Sequence, residues 1–157
     1  MKPLATIVEA TSVGQLELVR ALFQSYQSEL PAELRFPDTE WQNLPGAYGS
    51  PGGALLLATV ADRPTGCVGL RQFPLPGACE MKRLFVTSEF RGQNLGVALV
   101  ERIIQAARAL GYGCMRLDTH VATMGAAIML YRRFGFVEVA SHPMPPVEGL
   151  AYMELSL

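Results

Sequence analysis

Hydrophobic and polar residues follow each other with a period that changes along the chain, and each change predicts a new element. A short β-branched stretch over 5–10 predicts a first strand. Ser12, a residue type that caps helix N-termini, then precedes apolar residues at helical spacing from Leu16 to Leu30. Pro31 cannot continue this pattern, so the predicted helix ends before it.

Three apolar runs follow a loop at 44–53 that is rich in glycine and proline. Their length and the short turns between them are typical of strands joined as hairpins. The predicted strands cover 54–61, 67–73 and 78–86, with turns at 62–66 and 74–77.

The second half of the chain alternates helical and strand patterns. A long helix is predicted from about 94 to 110 and a shorter one from about 124 to 134, which Gly135 ends. Further strands are predicted at 114–119, 136–140 and 152–157. This order indicates a single mixed α/β domain over 1–157, and its strand–helix–strand middle predicts a right-handed parallel crossover.

Composition and charge narrow the range of partners. Thirteen basic and fourteen acidic residues give a net charge of −1, so we expect neither a nucleic-acid partner nor attraction to an anionic membrane. Charged residues make up 17% of the chain, against about 25% in an average soluble domain, which excludes intrinsic disorder. So few charges are compatible with an apolar surface that a second copy covers, as in a homodimer.

The N-terminus and the cysteines indicate the cellular compartment in which the protein is expected. The first ten residues, MKPLATIVEA, lack the apolar core of a signal peptide. The longest apolar run, 54–61, is far shorter than the roughly 20 residues that cross a bilayer, so we expect a cytoplasmic protein. Cys67, Cys79 and Cys114 are odd in number, widely spaced and without histidines at ligand spacing, which predicts neither a disulfide framework nor a metal site.

The segment 81–98, MKRLFVTSEFRGQNLGVA, carries the strongest chemical signal. A strand ends, a glycine-containing loop follows over 91–94, and a helix begins near Leu95. Loop N–H groups and the positive end of the helix dipole would then meet at one point, which favours a phosphate or pyrophosphate ligand. The alternative is a glycine needed only for the turn. A Walker loop is excluded because no Gly-Lys-Ser/Thr follows, and a dinucleotide fingerprint is excluded by the spacing of the glycines.

RGQNLG at 91–96, the strand RLFV at 83–86 before it, and LYRRFGF at 130–136 after it occur in a characteristic order. Together they resemble the R/Q-x-x-G-x-G/A loop, the preceding strand and the L-Y-x-x-x-G-F element of the GNAT superfamily of acyl-CoA-dependent N-acetyltransferases. The resemblance implies an α/β (α+β) fold in which helices flank a central mixed, mostly antiparallel sheet. It also implies transfer of an acetyl group from acetyl-CoA to a primary amine, by direct attack in a ternary complex.

By the same resemblance, loop N–H groups bind the CoA pyrophosphate, and the strand before the loop pairs with the pantetheine arm and polarises the thioester carbonyl. Asn94 replaces the usual first loop glycine but tolerates a left-handed backbone. Met124 replaces an asparagine that holds the pantetheine in many members. The cofactor-binding residues implied are Leu84, Phe85, Val86, Arg91, Gly92, Gln93, Asn94, Leu95, Gly96, Val97, Met124 and Ala127.

Two catalytic residues are implied. Tyr131 takes the position of the general acid that protonates the leaving thiolate, with a packed helix-face aromatic as the alternative. Glu80 takes the position of the general base, with an ion pair to Lys82 or Arg83 as the alternative. His120 is a second candidate for the base.

The acceptor is the least specified part. The segment 142–152 often lines the acceptor pocket in this family. Converging cations would suit a small, amino acid-like amine. The alternatives are a non-catalytic acyl-CoA sensor, a protein or peptide N-acetyltransferase, and a structural domain that binds no CoA. The residues expected to flank the acceptor cleft are Arg35, Tyr48, Arg71, Lys82 and Arg83.

Overall fold

The computed structural model describes residues 4–157. The strands are β1 (Thr6–Glu9), β2 (Ala54–Val60), β3 (Arg63–Gln72), β4 (Ala78–Val86), β5 (Cys114–His120), β6 (Val137–Glu138) and β7 (Leu150–Ser156). The helices are α1 (Val13–Glu29), α2 (Thr39–Gln42), α3 (Leu95–Ala109) and α4 (Gly125–Arg133), with single 3-10 turns at Ala32–Leu34, Gly46–Tyr48 and Ser88–Phe90.

All seven strands form one sheet in the order β1-β2-β3-β4-β5-β7-β6. Strands β4 and β5 are parallel and joined through α3, while the other neighbouring pairs are antiparallel. The predicted fold class, a mixed and mostly antiparallel sheet flanked by helices, is therefore confirmed, and so is the parallel crossover.

Helix α1 begins where the sequence predicts. The hydroxyl of Ser12 accepts a hydrogen bond from the Gln15 N–H, and the Gln15 side chain accepts one from the Ser12 N–H, which forms a capping box. Val19, Leu22 and Phe23 lie on one stripe and are almost fully buried against the sheet. Burying each such side chain contributes roughly 1.5–3 kcal/mol.

Two predicted boundaries were wrong. The turn expected at 62–66 contains only Ala61 and Asp62, both with positive φ (48° and 64°), so β3 begins at Arg63 and carries Pro64 within it. The strand expected at 136–140 is reduced to β6, an edge strand whose two residues are exposed.

Helices cover both faces of the sheet. Helices α3 and α4 lie on one face, where Leu99, Val100 and Ile103 of α3 are fully buried in the larger core cluster. Helix α1 lies on the other face, over a second cluster that includes Leu55 of β2 and Phe85 of β4. The sheet thus separates two cores. We call the side of the sheet that packs against α3 and α4 the α3 face, and the side that packs against α1 the α1 face.

Candidate active site

Strands β4 and β5 pair over only part of their length. Three residue pairs join them, from Ala78 with Cys114 to Glu80 with Arg116. Beyond Glu80 the two strands have no further pairing, and backbone groups of both border an opening in the sheet. We call this opening the gap.

A β-bulge in β4 lies beside the gap. The register between β3 and β4 shifts between Cys67 and Gly69, and Arg83 takes a φ of 60° at this point. As a result, Lys82 and Arg83 both project towards the α1 face, whereas Leu84 packs against the core on the α3 face. A left-handed backbone costs a non-glycine residue about 1–2 kcal/mol, so other contacts must offset it.

Arg83 is held by a bidentate ion pair with Glu40 of α2. Its Nε and Nη2 atoms lie 2.5 Å and 2.8 Å from the two Glu40 carboxylate oxygens, and its guanidinium lies 3.9 Å from the centre of the Phe36 ring. Both charged side chains are only 16% exposed. Burial alone lowers the pKa of Arg83. The hydrogen bond and the charge of Glu40 raise this pKa by more, so it lies above its usual value.

The bulge also sets the direction of backbone N–H groups. Thr87 donates its N–H to the Thr65 carbonyl of β3, at 2.9 Å. Because successive N–H groups of a strand point to opposite edges, those of Val86 and Leu84 point towards the gap. They are donors of the kind that can stabilise an oxyanion.

The loop at 91–96 and the start of α3 form an anion site by geometry. Asn94 has a φ of 62° and Gly92 a φ of 74°, so both take the left-handed conformation that the sequence predicts for Asn94. The N–H groups of Gly92–Val97 have no acceptor within residues 4–157. They are free to bind a phosphate at the positive end of the helix dipole. The Arg91 side chain instead bonds the Val86 carbonyl and Glu29 of α1.

A groove of about 820 Å³ runs past the gap and is lined from both faces of the sheet. Arg91 lines the groove, and residues 92–97 follow it directly along the chain. Glu80 does not line the groove but lines a neighbouring cavity. The Phe85 ring turns to the α1 face, 5.2 Å from that of Tyr26. Of the predicted cofactor-binding and catalytic residues, the groove is lined by Leu84, Phe85, Val86, Arg91, Met124, Ala127 and Tyr131.

Comparison with known proteins decides the family. Residues 16–136, well over half of the chain, match the model of the acetyltransferase (GNAT) family. The chain belongs to the GNAT acetyltransferase family. An uncharacterized N-acetyltransferase of Schizosaccharomyces pombe is 39% identical over 161 residues, covering 100% of this chain and 98% of that protein. The enzyme is therefore an acyl-CoA-dependent acetyltransferase, as predicted.

Solved structures agree in fold. A GNAT acetyltransferase from Staphylococcus aureus superposes with a TM-score of 0.81 at 20% identity, covering 98% of this chain and 99% of that one. The protein yncA from Salmonella typhimurium, solved with its cofactor acetyl-CoA, gives 0.77 at 21% identity, with coverages of 97% and 93%.

In this GNAT enzyme Tyr131 lies where α4 meets the gap. Its side chain is 7% exposed and its ring lies 5.7 Å from that of Phe136. Burial raises the pKa of the Tyr131 phenol, and the nearby Tyr26 and Asp118 raise it further. The phenol therefore keeps its proton at neutral pH, as a general acid must before the thiolate leaves.

Glu80 forms the ion pair that the sequence left open, with a second cation as well. Its Oε2 atom lies 3.2 Å from Arg71 Nε, and its Oε1 atom lies 3.3 Å from Lys82 Nζ. Lys82 also contacts Asp118 of β5, at 3.2 Å. His120 Nδ1 lies 2.9 Å from the Thr123 hydroxyl at the end of β5.

The residues expected to flank the acceptor cleft do not all meet there. Tyr48 is a core residue, 3% exposed, and its ring packs against Gly69 because only glycine leaves room there. Arg83 is turned to Glu40. Arg35 lines the groove, while Arg71 and Lys82 are ion-paired in the neighbouring cavity.

Sequence reasoning missed two residues of this site. Tyr26 belongs to the apolar helical spacing between Leu16 and Leu30, which predicts a helix and gives no sign of a site, yet it lines the groove together with Tyr131. Glu40 lies in a short helix without a periodic pattern, so nothing in the sequence links it to Arg83.

Two further properties of the described residues concern membrane-spanning helices and metal sites. Within residues 4–157, every helix is too short or too polar to span a lipid bilayer. The described part of the chain also contains no cluster of three or more His, Cys, Asp or Glu side chains suited to a metal ion.

Proposed function

We propose that this enzyme transfers the acetyl group of acetyl-CoA to the primary amine of a small molecule. The amine attacks the thioester directly while both substrates are bound. The carbon–nitrogen bond forms as the carbon–sulfur bond breaks, and CoA leaves as the thiol.

The groove that runs past the gap carries this proposal. Met124, which precedes α4, and Ala127 of α4 line it on the α3 face, and Tyr26 and Leu30 line it on the α1 face. A donor on the α3 face and an acceptor on the α1 face can therefore meet at the same point, which direct transfer requires.

The donor side offers groups that suit the pyrophosphate, the pantetheine arm and the thioester of acetyl-CoA. The free N–H groups of Gly92–Val97 suit the pyrophosphate, and the unpaired edge of β4 suits the pantetheine arm. The N–H groups of Leu84 and Val86 would polarise the thioester carbonyl. Tyr131 would give its proton to the leaving sulfur, as the family resemblance implies.

The three cysteines argue against an acetyl-enzyme intermediate. Burial raises the pKa of Cys67, Cys79 and Cys114 above that of a free thiol. A thiol that holds its proton is a poor nucleophile. On the acceptor side we propose Glu80 as the base that takes the amine proton, directly or through water, with His120 as the alternative.

The proposal is tested by incubating the enzyme with acetyl-CoA and a panel of small primary amines. Free thiol and acetylated amine are measured together, the second by mass spectrometry, and a peptide with a free N-terminus and an internal lysine serves as the comparison acceptor. We expect one acetylated amine for each thiol released. Thiol release without an acetylated small amine, or faster acetylation of the peptide, would contradict the proposal.

A further inference from the structure

A second cavity of about 390 Å³ adjoins the groove on the α1 face of the sheet. Its floor is formed by β3, β4, β5 and β7, and the segment 141–147 closes it from above. The two cavities share Lys82, Leu117, Asp118, Val147 and Leu150 in their linings, so the second one opens at the gap. We call it the acceptor chamber, a term that rests on the proposed function.

The cations on the floor of the acceptor chamber are already neutralised. Arg71 and Lys82 both contact Glu80, at 3.2 Å and 3.3 Å. Lys82 has Asp118 as a second partner, and its side chain is 12% exposed. A carboxylate on the acceptor can pair with Lys82 only by displacing Glu80 or Asp118, which is costly. Arg71 bonds Glu80 through Nε alone, so a carboxylate at its Nη groups lies beside Glu80 and meets like-charge repulsion.

Arg116, the third cation that lines the acceptor chamber, also has its partners within the protein. Arg116 forms an ion pair with Glu154 of β7, and its Nη1 atom donates to the carbonyls of Ala140 and His142, at 3.1 Å and 3.2 Å. Its side chain is 13% exposed and stacks on Phe73, 5.4 Å from the ring centre. It has no free edge with which to grip a second carboxylate in the bidentate way.

The walls of the acceptor chamber are apolar. Phe73 and Pro74 form one side, and Met144, Pro145 and Val147 form the other. Met144 and Val147 are 49% and 56% exposed although they are large hydrophobic residues. An apolar molecule that covers them removes this surface from water, which is favourable.

A carboxylate that is partly exposed lies at the opening. Asp118 shares Lys82 with Glu80, has no other cation partner within residues 4–157, and its side chain is 33% exposed beside the groove. A substrate ammonium can approach it there, next to the gap at which the acetyl group would lie.

We propose that the acceptor is a primary amine on an uncharged apolar body, an aryl- or alkylamine without a carboxylate. The amine lies by Asp118 and the apolar body fills the chamber. The ammonium loses one proton to the proposed base, Glu80 or His120, before its nitrogen attacks the acetyl carbon, and this proton passes to solvent. The nitrogen loses a second proton once the carbon–nitrogen bond has formed, which replaces the proton that Tyr131 gives to the CoA sulfur. The amino acid-like acceptor that the sequence suggested does not fit a chamber whose cations are all paired.

The test compares amines that differ in one group. Phenethylamine, phenylalanine and phenylalaninamide share a ring and an amine, and the amide has the bulk of the carboxylate without its charge. We expect kcat/KM for phenethylamine to exceed that for phenylalanine by roughly 100-fold, because a carboxylate must displace a partner of Lys82 or lie beside Glu80. Phenylalaninamide should fall much closer to phenethylamine. Pentylamine and norleucine repeat the comparison with an alkyl body.

A variant that removes the ion-pair partner of Arg116 gives a second test of the same preference. Glu154→Gln leaves Arg116 without its ion pair, so the preference for phenethylamine over phenylalanine should fall by about tenfold. Glu138→Gln removes an exposed ion pair with Arg132 outside the chamber and should leave the preference unchanged.

The outcomes separate this inference from the proposed function. If phenylalanine is acetylated as fast as phenethylamine or faster, the inference is wrong and the small-molecule acetyltransferase stands. If acetyl-CoA binds but no amine of either kind is acetylated, the inference and the proposed function are both wrong.

Discussion

The ion pair between Glu40 and Arg83 should hold the β-bulge beside the gap, and Glu40→Ala should release it. The substitution leaves a guanidinium that is 16% exposed without a charged partner. Removing one partner of a buried ion pair costs about 3–5 kcal/mol, and the residual exposure favours the lower end, about 3 kcal/mol. For a chain of this length that lowers Tm by about 6–12 °C.

The backbone at Arg83 supplies a matched control. Glu40→Ala combined with Arg83→Gly and Glu40→Ala combined with Arg83→Ala both lack the ion pair, and they differ only in a Cβ atom at a φ of 60°. Because glycine tolerates this conformation, the glycine double variant should be more stable than the alanine one by about 1–2 kcal/mol. It should also exceed the Glu40→Ala single variant in stability, since no charge is left buried alone.

The activity of these variants distinguishes a positioning role from a structural one. If the bulge aims the N–H groups of Leu84 and Val86, losing it should lower kcat more than it raises the KM for acetyl-CoA. We expect kcat to fall by about 10²-fold, the low end for the loss of one oxyanion donor. The glycine double variant should recover part of kcat, and the alanine one should not. Chemical denaturation and initial rates, both at a temperature where all variants are folded, measure the two effects. Equal kcat for the two double variants, or a Glu40→Ala stability within about 0.5 kcal/mol of the parent, would refute the reasoning.

Further predictions concern other parts of the site and the core. Tyr48→Phe should stabilise the fold by about 1 kcal/mol in urea melts, because it removes a buried hydroxyl that has no partner within residues 4–157; a loss of stability would show that the hydroxyl is satisfied. Tyr131→Phe should lower kcat by about 10²-fold, the low end for general acid catalysis, since a thiol with a pKa near 8.5 leaves with little help; an unchanged kcat would remove Tyr131 from the mechanism. Gly92→Ala and Gly77→Ala introduce the same strain, at φ values of 74° and 72° with open space for the Cβ atom, so both should destabilise alike. Gly92→Ala alone should weaken acetyl-CoA binding in calorimetry, and equal affinities would place the pyrophosphate elsewhere. Burial raises the pKa of Tyr48 and Tyr131, so above about pH 10 the folded state binds more protons than the unfolded chain and stability falls as the pH rises. Urea melts followed with tyrosinate absorbance should show this fall, and phenols that ionise without unfolding would contradict it.

Much of the fold was predictable because local signals agree with tertiary packing. The Ser12 cap, the apolar stripe of α1 and the limits of β4 are all in the sequence, and the structure confirms them. The turn at Ala61 and Asp62 was missed because Pro64 and Gly66 are typical turn residues, whereas pairing with β2 holds them in a strand. Tertiary contacts here override local preference.

The site was predictable where it depends on a contiguous segment. The left-handed Asn94 and the loop before α3 follow from adjacent residues. The sequence suggested the contact of Lys82 with Glu80, two residues away, but the other partners of Arg83, Lys82 and Arg116 lie many positions away along the chain, on α2, β5 and β7. Which cations are neutralised therefore follows only from the three-dimensional arrangement, and with it the character of the acceptor chamber.

The central claim is direct transfer at the gap between β4 and β5, and a two-substrate initial-rate study tests it most directly. Rates are measured over a grid of acetyl-CoA and phenethylamine concentrations, and the protein is recovered after acetyl-CoA alone for its intact mass. Direct transfer should give intersecting reciprocal plots and a protein that carries no acetyl group. Parallel plots together with an acetylated protein would show a covalent intermediate and rule out direct transfer.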